Sequence, residues 1–445
     1  MTGRGPARQA VTTDETSKLG FATGAILVSF LSLCLLATGA AAQYTVLGGG
    51  ATSVPDEEAL RSNVEAARWS AGPFRLQPWI GLRDVSYVRQ QQSVSGSEAE
   101  DQLTVTVGAG LRAYSQLGPK VIWAAHLLPE YVWWQDDSAK DGLNGRYGMG
   151  FFGYANRLQF QVFHRLEEQQ DFFSDEIQEL TTTTTATSQV GAELKVVRGI
   201  HVYGSWERLE FEGDGDDSAL FTLLDRTEDS WSAGIRLRSH RGWSLGVGVR
   251  HTEGEFDPAA RDLSFEADSV TLDLGATLGR FDVTLRLEDA DIEPRPGSTL
   301  EPRQQTFGNF DVAWKAGQRV SFEGYALRQR TFSIAETRSL IVRDEQGLRT
   351  EFSWNAWNLR LLVGQGGLES EVVGSAVDQS DDYDVYGATL GFRIRRLGAI
   401  QLNVIERQYD VGLLGGDRDV TSFGVSVQLG ELAQRLSLGE SSSLW

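Results

Sequence analysis

The chain holds one cysteine, Cys34, in 445 residues. It lies inside the apolar run Phe21 to Ala42, so the segment after that run has no thiol. Disulfides, thiolate metal centres and cysteine nucleophiles are thereby excluded for it. After Ala42 there is no second apolar run of spanning length, which excludes membrane-crossing helices. The five histidines, His126, His164, His201, His240 and His251, are scattered singly and lack metal-ligand spacing. Asp214, Asp216 and Asp217 lack the spaced glycine and closing glutamate of a calcium loop, and read as a solvated acidic loop. No metal, cofactor or catalytic constellation is expected. A net charge of −20 gives nucleic acid no surface to bind.

The run Phe21 to Ala42 ends in small residues and follows Arg4, Arg8 and Lys18. That is the layout of a secretory signal peptide cleaved near Ala42; a retained helix is the alternative. Residues 43–73 form a periplasmic segment in which Ser53 followed by PDEEALRSNVEAARW reads as a capped helix of about three turns. The helix could plug a lumen, dock a periplasmic partner or merely lead into the first strand. No long N-terminal plug domain is expected.

From Phe74 onward apolar residues recur at every second position, in segments long enough to cross a membrane as tilted strands. Val105 and Val107, Leu245 and Val247, Leu272 and Leu274, and Leu390 and Phe392 mark one face, which is expected to meet lipid. Such segments begin near Phe74, Leu103, Val121, Arg146, Leu158, Ser188, Ile200, Trp231, Trp243, Val270, Phe281, Phe310, Val320, Glu351, Trp357, Asp384, Ile400 and Thr421. The fold class is therefore all-β: a transmembrane antiparallel up-and-down barrel of about eighteen strands over 74–430, with sixteen the nearest alternative. Residues 431–445 are a tail or a misplaced terminal strand. Mean hydropathy of −0.26 agrees with a wall that is apolar on one face only.

Connections alternate between long and short, as periplasmic turns and external loops do in outer-membrane barrels. The long ones are acidic, and the short ones carry Lys120, Arg157, Arg198, Arg241, Arg280, Lys315, Arg319, Arg395 and Arg396. Trp123, Trp243, Trp314, Trp354 and Trp357 near short turns, with Trp133, Trp134, Trp206 and Trp231 near long loops, form two expected interfacial girdles. The opposite parity places Arg112, Arg236, Arg250, Arg286, Arg360 and Arg393 in the lumen. Asp273, Asp282, Asp311, Glu323, Glu351, Tyr203 and Tyr325 share that parity. Arginine forks suit carboxylates or phosphates and tyrosines offer faces to sugar rings; alternatively the arginines pair with the acids and brace the wall.

The stretches AGPFRLQPWIGLRDVSYV (Ala71 to Val88), LLDRTEDSWSAGIRLR (Leu223 to Arg238) and LGVGVRHTEGEF (Leu245 to Phe256) resemble the outer-membrane β-barrel porin family associated with bacterial exopolysaccharide gene clusters. The segment Ser422 to Leu429 resembles a barrel insertion signal. The resemblance implies a role in polysaccharide export or surface assembly and transfers no catalytic residues. Expected partners are outer-membrane lipid, the insertion machinery, polysaccharide and periplasmic export components. Three readings follow: a channel for polysaccharide export or solute diffusion, a scaffolding barrel with a closed lumen, and, third, a barrel hydrolase.

Overall fold

The computed structural model describes residues 57–90, 102–135, 141–172, 180–213, 221–240, 242–257, 262–333, 338–372, 378–394, 397–409 and 418–430. The expected signal segment, Asp214, Asp216, Asp217 and residues 431–445 lie outside them. A helix α1 (Glu57–Ala66) and a three-residue strand β1 (Trp69–Ala71) precede the wall. The wall consists of β2 (Phe74–Gln90), β3 (Gln102–Gln116), β4 (Val121–Trp134), β5 (Gly142–Ala155), β6 (Leu158–Phe172) and β7 (Leu180–Val197). It continues with β8 (Ile200–Gly213), β9 (Arg226–Arg238), β10 (Trp243–Phe256), β11 (Phe265–Leu278), β12 (Phe281–Pro294) and β13 (Arg303–Lys315). It ends with β14 (Val320–Phe332), β15 (Arg338–Trp354), β16 (Trp357–Val372), β17 (Asp378–Ile394), β18 (Gly398–Tyr409) and β19 (Arg418–Gly430).

Each wall strand pairs antiparallel with its sequence neighbours, and β19 returns to β2 with Val425 opposite Val85. The result is a closed barrel of eighteen strands, β2 to β19. Closure leaves no free edge across the apolar band, which is the condition for crossing hydrocarbon with strands. The short turns need left-handed backbone to match strand twist. Gly199 supplies it at φ 81° after Arg198, and Asn355 at φ 56° after Trp354.

Strands leaving the short-turn end begin where the alternation predicts, for example at Phe74, Val121, Ile200 and Trp357. Strands returning from the long connections begin earlier: β7 starts at Leu180 instead of near Ser188, and β15 at Arg338 instead of near Glu351. The ladder continues above the hydrocarbon, where outward positions need no longer be apolar. Thr182 to Ser188 and Arg343 to Glu345 are paired strand that carries no alternating signal.

The outward face is apolar across the middle of the wall. Val107, Val247, Val270, Ile235 and Val363 are exposed there, and Val105, Leu245, Leu272, Leu274, Leu390 and Phe392 share their parity. Trp123, Trp133, Trp231, Trp243, Trp314, Trp354 and Trp357 also point outward. Trp206 stands opposite Trp231 on the adjacent strand. Near the short turns Trp314 stacks between Phe281 and Phe322, with ring centroids 6.1 and 5.6 Å away. Trp134 departs from the expected girdle: it is 2% exposed and faces inward. Strand geometry sends consecutive residues to opposite faces, so Trp133 and Trp134 cannot both meet lipid. This closed, apolar-banded wall is that of an outer-membrane barrel.

The interior is occupied at both ends. At the short-turn end, Leu60, Val64 and Ala67 pack on Tyr114, Ile122, Ala124, Phe152 and Tyr154, all of inward parity. Helix α1 therefore sits inside the barrel mouth. Its Arg61 donates to the Pro119 carbonyl at 2.5 Å, tying it to the β3–β4 turn.

At the opposite end, connecting segments fold over the lumen and bond to one another. Asp257 N donates to Asp225 O at 3.1 Å and Thr299 N to Asp262 O at 2.9 Å. Leu224, Leu263 and Leu300 from these segments join Phe211, Phe256, Phe265, Phe307 and Phe332 in one cluster. The upper end of β14 leans into this cluster. Arg330, fully buried, reaches Glu228 of β9 at 3.2 Å and lies over the Phe265 and Phe332 rings at 4.4 and 4.9 Å. Arg226 bonds the same carboxylate at 2.7 Å and lies 4.7 Å over Phe211.

Glu228 thus stands between two buried guanidinium groups of this cage. Its replacement, Glu228→Gln, removes the carboxylate that both share and is expected to cost about 3 to 5 kcal/mol, whereas Arg330→Met keeps the Arg226 pair and fills the phenylalanine cage at little cost. Urea unfolding of the refolded barrel in lipid vesicles, followed by tryptophan fluorescence, measures both; equal losses would remove Glu228 from its central place.

Candidate functional site

With lipid outside, chemistry belongs to the inner wall. Every arginine and acid expected in the lumen lies on the inward parity of its strand. Most of them are spent on one another. Arg236 bonds Glu193 at 2.8 Å and approaches Asp273 at 3.7 Å; Arg286 bonds the same Asp273 at 3.1 Å. Arg250 stands 3.9 Å from Glu288, and Arg360 3.4 Å from Glu351. Asp282 takes Lys315 at 2.6 Å, Glu323 takes Arg349 at 2.6 Å, and Asp311 accepts from Asn309 at 2.9 Å. Among the described residues Arg393, exposed near the short turns, carries no ion pair. The bracing alternative therefore describes Arg236, Arg250, Arg286 and Arg360.

The two tyrosines do not offer open faces. Tyr203 lies over Gly234 and Gly248, where an added Cβ would strike its ring, and Tyr325 fits likewise against Gly347 and Gly364. Arginine covers the remaining face of each, with Arg236 at 4.7 Å over Tyr203 and Arg349 at 4.1 Å over Tyr325. These rings are wall material, clamped by cation–π contact on one side and glycine backbone on the other. The expectation that they stack sugars is corrected accordingly.

A different arrangement occupies the inner wall of β3 to β6. Cross-strand register aligns Arg112 with His126, His126 with Gly148, and Gly148 with Arg165; Arg146 stands one inward position farther along β5. Carboxylates accompany two of the three arginines, Glu130 at 3.4 Å from Arg146 and Glu167 at 3.5 Å from Arg165. Arg112 is 3% exposed, donates to the Tyr114 hydroxyl at 3.3 Å, and meets no carboxylate among the described residues. A buried guanidinium left in that state raises the local positive potential and suits an anion.

Helix α1 lies directly beneath this patch. Tyr114, the hydrogen-bond partner of Arg112, belongs to the cluster that holds Leu60 and Val64. Gln77, opposite Arg112 in register, donates to the Asn63 carbonyl at 3.4 Å. The basic wall and the helix therefore share one end of the lumen.

Parity identified facing but not partnership, so several interior residues escaped the sequence reading. Glu193 is 1% exposed and receives Arg236, Arg238 and His201. Arg343 contacts Glu345 and donates to the Tyr383 hydroxyl at 2.7 Å, while Tyr325 and Tyr383 both donate to Glu345 at 2.9 Å. These positions carry the inward parity and could have been found by following it, Glu193 within the apolar band and Arg343, Glu345 and Tyr383 above it. Arg330 could not, because its parity is outward and only the inward lean of β14 buries it. No group of three or more potential metal ligands occurs among the described residues.

No protein-family model matches the chain, and no curated protein matches it. Among solved structures it is similar to Pseudomonas aeruginosa OccK2 (OpdF), crystallised with glucuronate, at 12% identity over 80% of this chain and 98% of that one, TM-score 0.48. Acinetobacter baumannii OccAB3 gives 11% identity, 80% and 99% coverage and a TM-score of 0.47. A BenF-like porin from Pseudomonas fluorescens Pf-5 gives 11%, 80% and 98%, and 0.48. The placement of this chain in an outer membrane rests on its own closed and banded wall.

Because α1 fills part of the mouth, deleting residues 43–67 is expected to raise single-channel conductance in planar bilayers while the barrel still assembles. An unchanged conductance with a normally folded wall would place the helix out of the ion path.

Proposed function

We propose that this protein is a narrow outer-membrane channel for small acidic solutes. The observation that carries the reading is Arg112, buried on the inner wall with no carboxylate partner among the described residues, in register with His126 and close to Arg146 and Arg165. Of the other arginines expected in the lumen, Arg236, Arg250, Arg286 and Arg360 each face an acid and Arg393 is exposed near the short turns, so this wall is where an anion gains most. A barrel of this strand number is wide enough for an aqueous path. The helix below and the phenylalanine cage above then set its width, favouring small solutes.

Polysaccharide export is the second reading, supported by the sequence resemblance at Ala71 to Val88, Leu223 to Arg238 and Leu245 to Phe256. A polymer needs a continuous wide bore, so this reading requires α1 and the leaning end of β14 to withdraw. A scaffolding barrel, the third, draws support from the ion pairs that brace the β7 to β12 wall.

Reversal potentials across a salt gradient separate the three. A unit charge about 8 Å from a permeating ion contributes roughly 2 kcal/mol at an effective dielectric near 20. Wild-type protein is expected to prefer anions, and Arg112→Glu to shift permeability toward cations by about tenfold or more at low salt. Assembly is scored in parallel as a heat-modifiable band. Conductance with no selectivity change would reject the Arg112 wall. Absence of conductance even without residues 43–67 would favour the scaffold. Loss of surface polysaccharide on gene deletion would favour export.

A further inference from the structure

The seam between β13 and β14 is shorter than those on either side. Pairing runs from Gly308 opposite Arg328 to Lys315 opposite Ser321 and stops there. On one flank β12 stays with β13 as far as Arg303, and on the other β14 stays with β15 as far as Phe332. The cause is the inward lean already described: where Arg330 turns toward Glu228, β14 leaves the wall and β13 does not follow. A cavity of about 1230 Å³ opens at this place.

Its lining changes character along the strands. Leu285, Leu287, Phe310 and Ala326 are outward residues that continue the apolar band. Above them stand outward charged groups, with Arg328 bridging Asp344 at 2.6 Å and Glu369 at 3.2 Å. That bridge consumes the one cation. Asp382 and Asp384, exposed on β17, add two further acids to the same rim. Membrane-facing apolar floor and acidic rim together fit a molecule with one hydrocarbon chain and a positively charged head.

We propose that this cleft is a binding site for a cationic or head-cationic zwitterionic amphiphile of the outer leaflet. The chain lies on Leu285, Leu287 and Phe310 beside Ala326, and the head sits against Asp382 and Asp384. The site is outside the lumen and does not depend on the channel reading, since its occupancy is measured without conductance.

The test uses the full barrel in lipid nanodiscs and a trace radiolabelled dodecyltrimethylammonium probe, with dodecyl sulfate of equal chain length as comparison. Saturable binding of one cation per barrel is expected, with no saturable binding of the sulfate. Ala326→Trp fills the floor and is expected to abolish saturation. Asp382→Asn with Asp384→Asn is expected to weaken binding about tenfold by removing both unbridged charges. Val202→Trp, in the apolar band on the far side of the barrel, is expected to leave binding unchanged, and the heat-modifiable band verifies folding of each variant. No saturable binding, equal uptake of the sulfate, or full binding by the Ala326→Trp barrel would overturn the assignment.

Discussion

In hydrocarbon an unpaired amide or carbonyl costs several kcal/mol, and a sheet has two edges full of them. The pairing of β19 with β2 removes both edges at once. Everything else about this chain follows from holding that closed ladder. Outward side chains must be apolar where lipid touches them, as at Val247 and Leu274. Inward side chains are released from that demand and are free to carry charge, as the chain exploits from Arg112 to Arg393. Where the ladder fails, between β13 and β14 above Gly308, the wall stands at the level of the charged rim, beyond the apolar band.

The inner wall is governed by a second constraint, the cost of leaving charge buried without a partner. Glu193, Asp273, Glu228 and Glu345 each gather more than one donor, and arginines that also need cover are laid over Tyr203, Tyr325, Phe211 and Phe265. Glycines opposite the rings provide the thin places into which those aromatics fit. Among the buried arginines of the described residues Arg112 stands apart, because its neighbour is a tyrosine hydroxyl instead of an acid. The distinction between bracing and binding thus comes down to which side chains have a carboxylate within reach.

The barrel was legible because period-two alternation is a local property that each strand carries by itself. Phe74, Val121, Ile200 and Trp357 open their strands where the pattern says, and the strand number follows from counting. What was not legible is what non-local contact decides. Trp134 faces inward by the same alternation that sends Trp133 to lipid, so that error lay in reading tryptophan type above parity. The helix at Glu57–Ala66 was expected, but its seat against Ile122 and Phe152 depends on residues far along the chain. The pairing of Arg330 with Glu228, about a hundred residues away in sequence, leaves no local trace at all.

A lumen narrowed from within is the claim on which the reading of a small-solute channel rests, and α1 is its most accessible part. Leu60→Cys combined in turn with Ile122→Cys and with Phe152→Cys, in a chain carrying no other cysteine after Ala42, reports the helix position in intact outer membranes. Disulfide formation under mild oxidation, with Leu60→Cys alone shielded from a periplasmic maleimide, is the expected result. Failure of both pairs to cross-link while the single cysteine labels freely would contradict it, and would leave the barrel mouth open.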